Sequence, residues 1–175
     1  MATPVESALR RAVTDLNALK ARWALIGGLA ISVRSEAEDV VHRLGGRGYR
    51  PVELLEQEYV KRMSGVRLER GGSDVVVDLL FASSGIEDEV VAGATRLEVL
   101  PQLTAPVATT GHLIALKVLA GRNQDLTDLE ALIPGASAAD LDVARSAVRL
   151  IQARGFNREQ DVIADLDNLL ADLGR

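Results

Sequence analysis

The stretch Trp23-Ala-Leu-Ile-Gly27-Gly28-Leu-Ala-Ile-Ser-Val33 joins an apolar strand pattern to a double glycine and then to a second apolar segment. Glycine adopts backbone conformations that other residues avoid, so the chain can change direction at this point. We predict that residues 23–26 form a strand and that Gly27-Gly28 opens a helix reaching about residue 35. Such a turn exposes bare backbone to a phosphate group, which makes it a candidate nucleotide-binding turn. A close turn without a ligand is the alternative.

Length and composition favour one hydrophobic core, to which a helical C-terminal part can be added. The chain has 175 residues, of which 47% are hydrophobic, and this is enough to bury a sizeable core. It has no cysteine, which excludes disulfides and thiolate metal sites, and its only histidines are His42 and His112. A zinc site is therefore disfavoured, whereas a hard metal ion held by oxygen ligands stays open.

The N-terminal residues predict a cytoplasmic protein. Glu6, Arg10, Arg11 and Asp15 interrupt any apolar segment there, unlike the continuous apolar region of a signal peptide. No apolar run approaches the ~20 residues that a membrane span requires. We therefore expect no membrane partner.

Charge is distributed unevenly along the chain. The net charge is -5, but residues 1–70 carry 12 Lys and Arg against 9 Asp and Glu, whereas residues 71–175 carry 8 against 16. Seven basic residues make up most of the excess in the first part: Arg43, Arg47, Arg50, Lys61, Arg62, Arg67 and Arg70. A solvated face is the favoured interpretation of this segment, and contact with phosphates is the alternative.

The hydrophobic periodicity predicts an α+β protein with a small mixed sheet and a C-terminal helical region. Strands are expected after the first one at residues 49–55, 65–70, 74–81 and 97–100, with a tight turn at 71–73 and a loop at 101–106. Helices are expected, besides the one after the double glycine, at residues 4–20, 38–44, 84–94, 110–120, 125–133, 138–154 and 158–173. We place the domain boundary between residues 108 and 109, so that residues 1–108 form the core and 109–175 the helical region.

One acidic residue stands in the middle of a strand that is otherwise fit for burial. In Asp74-Val-Val-Val-Asp78-Leu-Leu-Phe81, both faces of the predicted strand carry apolar residues. A buried charge without a partner is costly. Asp78 is therefore either a metal ligand or general base at the sheet surface, or the partner of an arginine on the neighbouring strand. The sequence leaves both interpretations open.

Two further candidates lie in the helical region. Lys117 is the only charged residue of His112-Leu-Ile-Ala-Leu-Lys117-Val-Leu-Ala, so its ammonium group either reaches outward or points into a site that binds a triphosphate. Asp125 and Asp128 share one face of the next helix. Asp125 suits the positive end of that helix, and Asp128 taken alone is more simply a solvated residue.

The order of these features resembles that of the AbiEii-type nucleotidyltransferase toxins of bacterial toxin-antitoxin systems, and is close to the MenT group of mycobacterial toxins. The features are the Gly-Gly turn, the strand Val-Asp-Leu-Leu-Phe, the segment His-Leu-Ile-Ala-Leu-Lys and the following Gln-Asp-x-x-Asp-Leu. The resemblance covers nearly the whole chain. It implies a polymerase-β-like nucleotidyltransferase core that uses a nucleoside triphosphate and Mg²⁺ to add nucleotides to the acceptor end of tRNA. Aminoacylation and translation then stop, and a cognate antitoxin neutralises the toxin.

The resemblance also implies roles for particular residues. Gly27 and Gly28 match the family's nucleotide-binding turn, and Lys117 matches its phosphate-binding lysine. Asp128 matches the late catalytic aspartate, and Asp125 precedes it in the same motif as a nucleotide-binding residue. Asp78 resembles the third carboxylate of the sheet, which acts in catalysis and as a metal ligand.

One family motif has no counterpart in this sequence. Members continue after the glycine turn into an Arg-Asp-x-Asp-Leu strand whose aspartates bind the catalytic metals, and nothing between Arg34 and Val40 matches it. Either the chain is a metal-poor relative, or residues of the natural chain are missing there and between Lys117 and Asp128. We favour missing residues, because two predicted helices joined only by Ser35-Glu36 leave no route back to the sheet.

Three functions are therefore compared. The first is transfer of nucleotides to tRNA, in which Lys117 neutralises the triphosphate and the glycine turn cradles it. The second is a catalytically degenerate module of the same fold that only binds an antitoxin or RNA. The third keeps the enzyme but makes a protein side chain the acceptor.

Overall fold

The computed structural model describes residues 2–27, 30–33, 37–56, 63–71, 75–81 and 83–175. The chain divides into two compact units. The first unit comprises Met1–Ser83 and Glu87–Val107, and the second comprises Ser84–Ile86 and Ala108–Arg175.

The first unit is built on a seven-stranded mixed sheet with the strand order β3-β4-β5-β2-β1-β7-β6. Its helices are α1 (Pro4–Ala18), α2 (Ala37–Gly45) and α3 (Glu87–Gly93). Its strands are β1 (Trp23–Gly27), β2 (Ala30–Val33), β3 (Tyr49–Glu56), β4 (Met63–Arg70), β5 (Val76–Leu80), β6 (Thr95–Leu100) and β7 (Leu103–Val107). β1 is parallel to β7 and β2 is parallel to β5, whereas the other neighbouring pairs are antiparallel. The predicted α+β class is confirmed.

Helix α1 begins where its sequence provides a complete cap. The Thr3 side chain accepts a hydrogen bond from the backbone N–H of Glu6, and the Glu6 carboxylate accepts one from the backbone N–H of Thr3. This reciprocal pair satisfies two N–H groups that the helix itself leaves without partners. The helix predicted for residues 4–20 is thereby confirmed.

One face of the sheet packs into the core of the first unit. Val77 and Leu79 of β5 are buried and alternate with half-buried residues, and Ile31 and Val33 of β2 are buried on either side of Ser32, which is itself buried. This period of two places their side chains on one face, where they cluster with residues of α1 such as Leu16. Each such side chain contributes about 1.5–3 kcal/mol of burial free energy.

The helix predicted to follow the double glycine is wrong. After Gly27 the chain returns as β2, which pairs antiparallel with β1 and parallel with β5. Ile31 and Val33 flank Ser32 in a strand alternation, and a run of four residues is too short for periodicity to separate strand from helix. A strand, and not a helix, therefore lies between β1 and α2. The argument for missing residues rested on two consecutive helices and no longer holds.

The loop predicted at residues 101–106 is also wrong, because Leu103–Val107 forms strand β7 between β1 and β6. The two prolines of this segment favoured a loop in the sequence. Pro106 lies opposite Arg96 of β6, and the pairing with β1 involves only Leu25 and Val107. A proline is tolerated here because the ladder does not require its missing N–H.

The second unit is helical. It contains α4 (Thr110–Ala120), α5 (Asn123–Leu132), a 3₁₀ turn (Ile133–Gly135), α6 (Ala138–Ala153) and α7 (Val162–Asp172). Its core includes the fully buried side chains Ile114, Leu119, Ile151 and Leu166. The helices predicted at 110–120, 125–133 and 138–154 are confirmed.

The last helix begins four residues later than predicted. Arg158 and Glu159 have φ angles of 53° and 62°, which a right-handed helix cannot contain. The Asp161 side chain instead accepts a hydrogen bond from the backbone N–H of Ala164 and caps the helix there. Among the described residues, no helix combines the length and the apolar composition needed to cross a membrane.

Candidate functional site

A tight helix-to-helix connection in the second unit brings three predicted site residues together. Helix α4 ends at Ala120, and Gly121 follows with a φ of 62°, its N–H donating to the carbonyl oxygen of Lys117 over 3.0 Å. Glycine adopts this left-handed conformation without steric cost. Since α5 begins at Asn123, its first turns pack beside the last turn of α4.

The ammonium group of Lys117 lies between the two aspartates of α5. Its Nζ atom is 3.4 Å from Asp125 Oδ1 and donates a hydrogen bond to Asp128 Oδ2. The side chain of Lys117 is 21% exposed. An ammonium group has three donors, so two are directed to carboxylates and one remains.

Asp125 is the buried member of this arrangement, with a side chain that is 2% exposed. Its Oδ2 accepts from Arg122 Nε at 2.7 Å and from the Arg122 backbone N–H at 3.3 Å. Burial acts to raise the pKa of Asp125, but the hydrogen bonds and positive charges of Arg122 and Lys117 outweigh it, so the pKa lies below its ordinary value. Asp125 is therefore held as a carboxylate.

Asp128 is more accessible than Asp125. The hydrogen bond from Lys117, and then one from Gln124 Nε2 to Asp128 Oδ1 over 3.2 Å, lower the pKa of this carboxyl group. We refer to the whole arrangement as the Lys117 cluster: Lys117, Arg122, Gln124, Asp125 and Asp128. Its two cations and two anions compensate each other, and it fixes the position of the Lys117 ammonium group.

Asp78 lies in the first unit and is paired with an arginine. Arg67 on β4 is its direct neighbour in the antiparallel register. Arg67 Nε donates to Asp78 Oδ1 over 2.8 Å, and Arg67 Nη2 donates to Asp78 Oδ2 over 3.2 Å. These hydrogen bonds, and then the charge of Asp78, raise the pKa of Arg67. The salt bridge to a neighbouring strand, one of the two interpretations of Asp78, is present in the structure.

The two candidate site residues of the sheet, Gly27 and Asp78, lie on one row across its strands. Ala30 of β2 is the register partner of Gly27 on one side and of Asp78 on the other. Neighbouring strands are 4.7–4.9 Å apart, so the backbones of Gly27 and Asp78 are about 10 Å apart. Gly27 has a φ of 138° and is exposed, and a Cβ atom there would have no heavy atom within 4 Å. Gly28 lies outside the described residues.

A second charged cluster in the first unit was missed by the sequence interpretation. Asp15 of α1 has a side chain that is 10% exposed and accepts from Arg47 Nη1 and from the Tyr49 hydroxyl, each over 3.0 Å. Arg70 Nη1 lies 3.8 Å from Asp15 Oδ2. A signal was present in the sequence, because Asp15 continues the buried face that runs through Ala8 and Ala12 of α1.

Among the described residues, no group of three or more histidine or acidic side chains is arranged to hold a metal ion. Both oxygens of Asp78 already accept hydrogen bonds from Arg67.

The chain matches no model of a known protein family. It also matches no curated protein sequence.

Proposed function

We propose that this protein is a nucleotidyltransferase toxin that transfers nucleotides from a nucleoside triphosphate to the 3' end of tRNA. The resemblance of its motifs suggests this function, and a cognate antitoxin would neutralise it. The observation that carries the proposal is the Lys117 cluster. It brings the lysine and both aspartates of the Lys…Asp-x-x-Asp motif into direct contact.

In this proposal the remaining donor of Lys117 binds an oxygen of the triphosphate. Asp125 and Asp128 hold the ammonium group in place before the nucleotide arrives, which reduces the cost of organising the site during the reaction. The tRNA 3'-hydroxyl oxygen attacks the α-phosphorus, and its proton passes to solvent. The bond between the α-phosphorus and the oxygen that bridges it to the β-phosphorus breaks, and pyrophosphate leaves with that oxygen. The resemblance assigns Gly27 and Gly28 to the nucleotide-binding turn of the family.

Mg²⁺ belongs to the proposal as the cofactor of the family that the sequence resembles. The carboxylates of the described residues do not fit a metal site as they stand, because they form no group of three and Arg67 occupies both oxygens of Asp78. We therefore assign no step to the metal.

A second candidate function is a non-catalytic binding module. Two observations favour it: the glycine turn joins two strands instead of opening a helix, and Asp78 forms an ion pair with Arg67. Such a module would bind RNA or an antitoxin without transferring a nucleotide.

One incubation series separates these functions and the transfer to a protein acceptor. The purified chain is incubated with Mg²⁺ and each labelled nucleoside triphosphate, together with total RNA or with cell lysate. Labelled tRNA supports the proposal, labelled protein supports the third function, and no labelled product supports the binding module. The intact mass of the protein from its natural source adds an independent check, because agreement with 18.7 kDa excludes missing residues.

Substitution of Lys117 tests the assigned role. We expect Lys117→Ala to lower incorporation into tRNA by roughly 100-fold or more, the loss typical of removing one donor to a developing charge. Arg149→Ala is the matched control, since it removes an exposed positive charge from α6 of the same unit. Circular dichroism verifies folding, and Lys117→Met provides a second variant that keeps the apolar stem. Full activity of folded Lys117→Ala or Lys117→Met would refute the role of the lysine.

A further inference from the structure

The Asp15 cluster consists of five side chains of the first unit: Arg11, Asp15, Arg47, Tyr49 and Arg70. We propose that it binds a phosphate group of the RNA backbone. The inference rests on the proposed function in one respect, namely that the acceptor of the reaction is an RNA.

The first step of the argument is the charge of the cluster. Arg47 and Arg70 lie within 4 Å of the Asp15 carboxylate, and Arg11 lines one cavity with Arg70 and Tyr49. Among the described residues, these three guanidinium groups are therefore accompanied by one carboxylate, and two positive charges are uncompensated. The phenol of Tyr49 adds no negative charge, because burial, the charge of Asp15 and a hydrogen bond to Asp15 raise its pKa to about 12. The cluster is therefore a local cation in a chain whose net charge is -5.

The second step is a comparison with the other arginines of the basic segment. Arg43 pairs with Asp39 over 3.3 Å, Arg50 pairs with Glu69, and Arg67 pairs with Asp78. Each of these guanidinium groups has a carboxylate of its own. Arg47 and Arg70 instead share Asp15.

The third step concerns the donors that remain. Within the described residues, the half-buried Arg11 makes no ion pair and no side-chain hydrogen bond. Arg70 approaches Asp15 only to 3.8 Å, beyond hydrogen-bond distance. Its guanidinium carbon lies 5.5 Å from the centre of the Tyr49 ring, and this cation–π contact orients the group. Both arginines therefore retain donors for an anion.

The fourth step is the shape of the surface. Arg11 and Arg70 line the same small cavity with Tyr49, and its remaining walls are Ala8, Val75 and Val77. The cavity has a volume of about 10 Å³, which is room for about one oxygen atom of water size. A phosphate oxygen that enters it lies beside the side chains of both arginines, and arginine forks match the geometry of phosphate oxygens.

RNA is the favoured source of that phosphate. The cavity has room for about one oxygen atom, so the rest of the ligand stays outside, as in a backbone contact. Tyr49 is buried and already stacked under Arg70, so the described residues of the cluster present no free aromatic face to the base of a nucleotide. Residues 1–70 carry 12 Lys and Arg against 9 Asp and Glu, so the segment that supplies the five cluster side chains favours contact with an anionic backbone.

The test is RNA binding measured without nucleoside triphosphate. A fluorescently labelled 20-nucleotide RNA is titrated with wild-type protein and with Arg11→Ala/Arg70→Ala at several salt concentrations. We expect the double variant to bind roughly tenfold more weakly, and its salt dependence to lose a slope of about 0.7, which corresponds to one phosphate contact with a single strand. Arg50→Ala is the matched control and should change both quantities much less, because its charge is compensated by Glu69.

Single variants protect the test against a folding defect. Arg11 has no described partner, so Arg11→Ala and Arg11→Glu should fold like the wild type, and Arg11→Glu should weaken RNA binding more. Unchanged RNA affinity in all of these variants would overturn the inference. The inference would also be overturned if these variants lost binding to labelled ATP while their RNA affinity stayed intact, because the site would then bind the nucleotide.

The two proposals fail separately. Weaker RNA binding by Arg11→Ala/Arg70→Ala together with no nucleotide transfer by the wild type supports the phosphate site and removes the enzymatic function. Nucleotide transfer by the wild type together with unchanged RNA binding by the double variant supports the enzyme and removes the phosphate site.

Discussion

Each unit of the protein contains a nearly buried aspartate, and the two aspartates differ in the balance of charge around them. In the Lys117 cluster, Asp125 and Asp128 face one lysine and one arginine, so the cluster is neutral. In the Asp15 cluster, one carboxylate accompanies three arginines among the described residues. A buried carboxylate can therefore either hold one cation in a fixed position within a neutral cluster or lie within a cluster whose net positive charge attracts an anion.

The neutral cluster also has a structural role. Lys117 lies on α4 and its partners lie on α5, so the ion pairs join the two helices over a connection of only two residues. An ion pair whose carboxylate is 2% exposed requires compensation for lost hydration, and Arg122 and Lys117 supply it together. The same contacts that stabilise this helix pair fix the lysine that we assign to phosphate binding.

The largest expected effect on stability is that of Asp15→Ala. Among the described residues it removes the one carboxylate that accompanies three arginines, together with the acceptor of the Tyr49 hydroxyl, so we expect the free energy of unfolding to fall by about 3 kcal/mol. Urea denaturation measures this change. The control is Asp39→Ala, which removes the exposed partner of Arg43 and should cost no more than about 1 kcal/mol. Equal losses in both variants would show that the Asp15 cluster is only a set of surface pairs.

A somewhat smaller loss is expected for Asp125→Asn. The amide keeps the shape of the side chain but loses its charge, and a hydrogen bond to a charged group is typically worth 1.5–3 kcal/mol. We expect a loss of about 2 kcal/mol by urea denaturation. Asp142→Asn, at a highly exposed ion pair of α6, serves as the control. A loss no larger than that of Asp142→Asn would contradict the structural role of the Lys117 cluster.

The pH dependence of stability provides a second test of the role of Asp125. The pKa of Asp125 is lower in the folded protein than the ordinary value of about 3.9 in an unfolded chain. Its stabilising contribution is therefore complete above about pH 4 to 5 and is lost as the pH falls through the folded-state pKa. The difference in unfolding free energy between wild type and Asp125→Asn should be largest above pH 5 and should shrink on acidification. A difference that is constant down to pH 2 would be inconsistent with this assignment.

The smallest effect on stability is expected for Arg11→Ala. This substitution removes a positive charge from a cluster that already has an excess of them, and Arg11 has no described ion pair to lose. We expect a change within about 0.5 kcal/mol, the usual range for surface substitutions, in the direction of greater stability. Thermal unfolding at low salt is the most sensitive measurement, since screening weakens the repulsion at higher salt. A clear destabilisation would mean that Arg11 is a structural residue.

Much of the fold follows from local sequence. Capping residues such as Thr3 and the strand alternation through Val77 and Leu79 determine elements that were predicted and are confirmed. The misassigned segments are those where local signals are short or conflicting. Residues 30–33 are too few for a period to be recognised, and the prolines of residues 101–106 conceal a strand that exists because β1 and β6 lie on either side of it.

The candidate site residues divide in the same way, into those that local sequence predicts and those that tertiary packing brings together. Local sequence is enough to predict that Lys117, Asp125 and Asp128 lie on consecutive helices, because helical spacing and the glycine at position 121 are local properties. It also predicts both possible roles of Asp78. The pairing of Asp78 with Arg67, the approach of Arg47 and Arg70 to Asp15, and the position of Arg11 beside Arg70 and Tyr49 follow only from tertiary packing. Strand register and the packing of α1 bring these residues together from distant parts of the chain, and no local pattern encodes the charge balance that results.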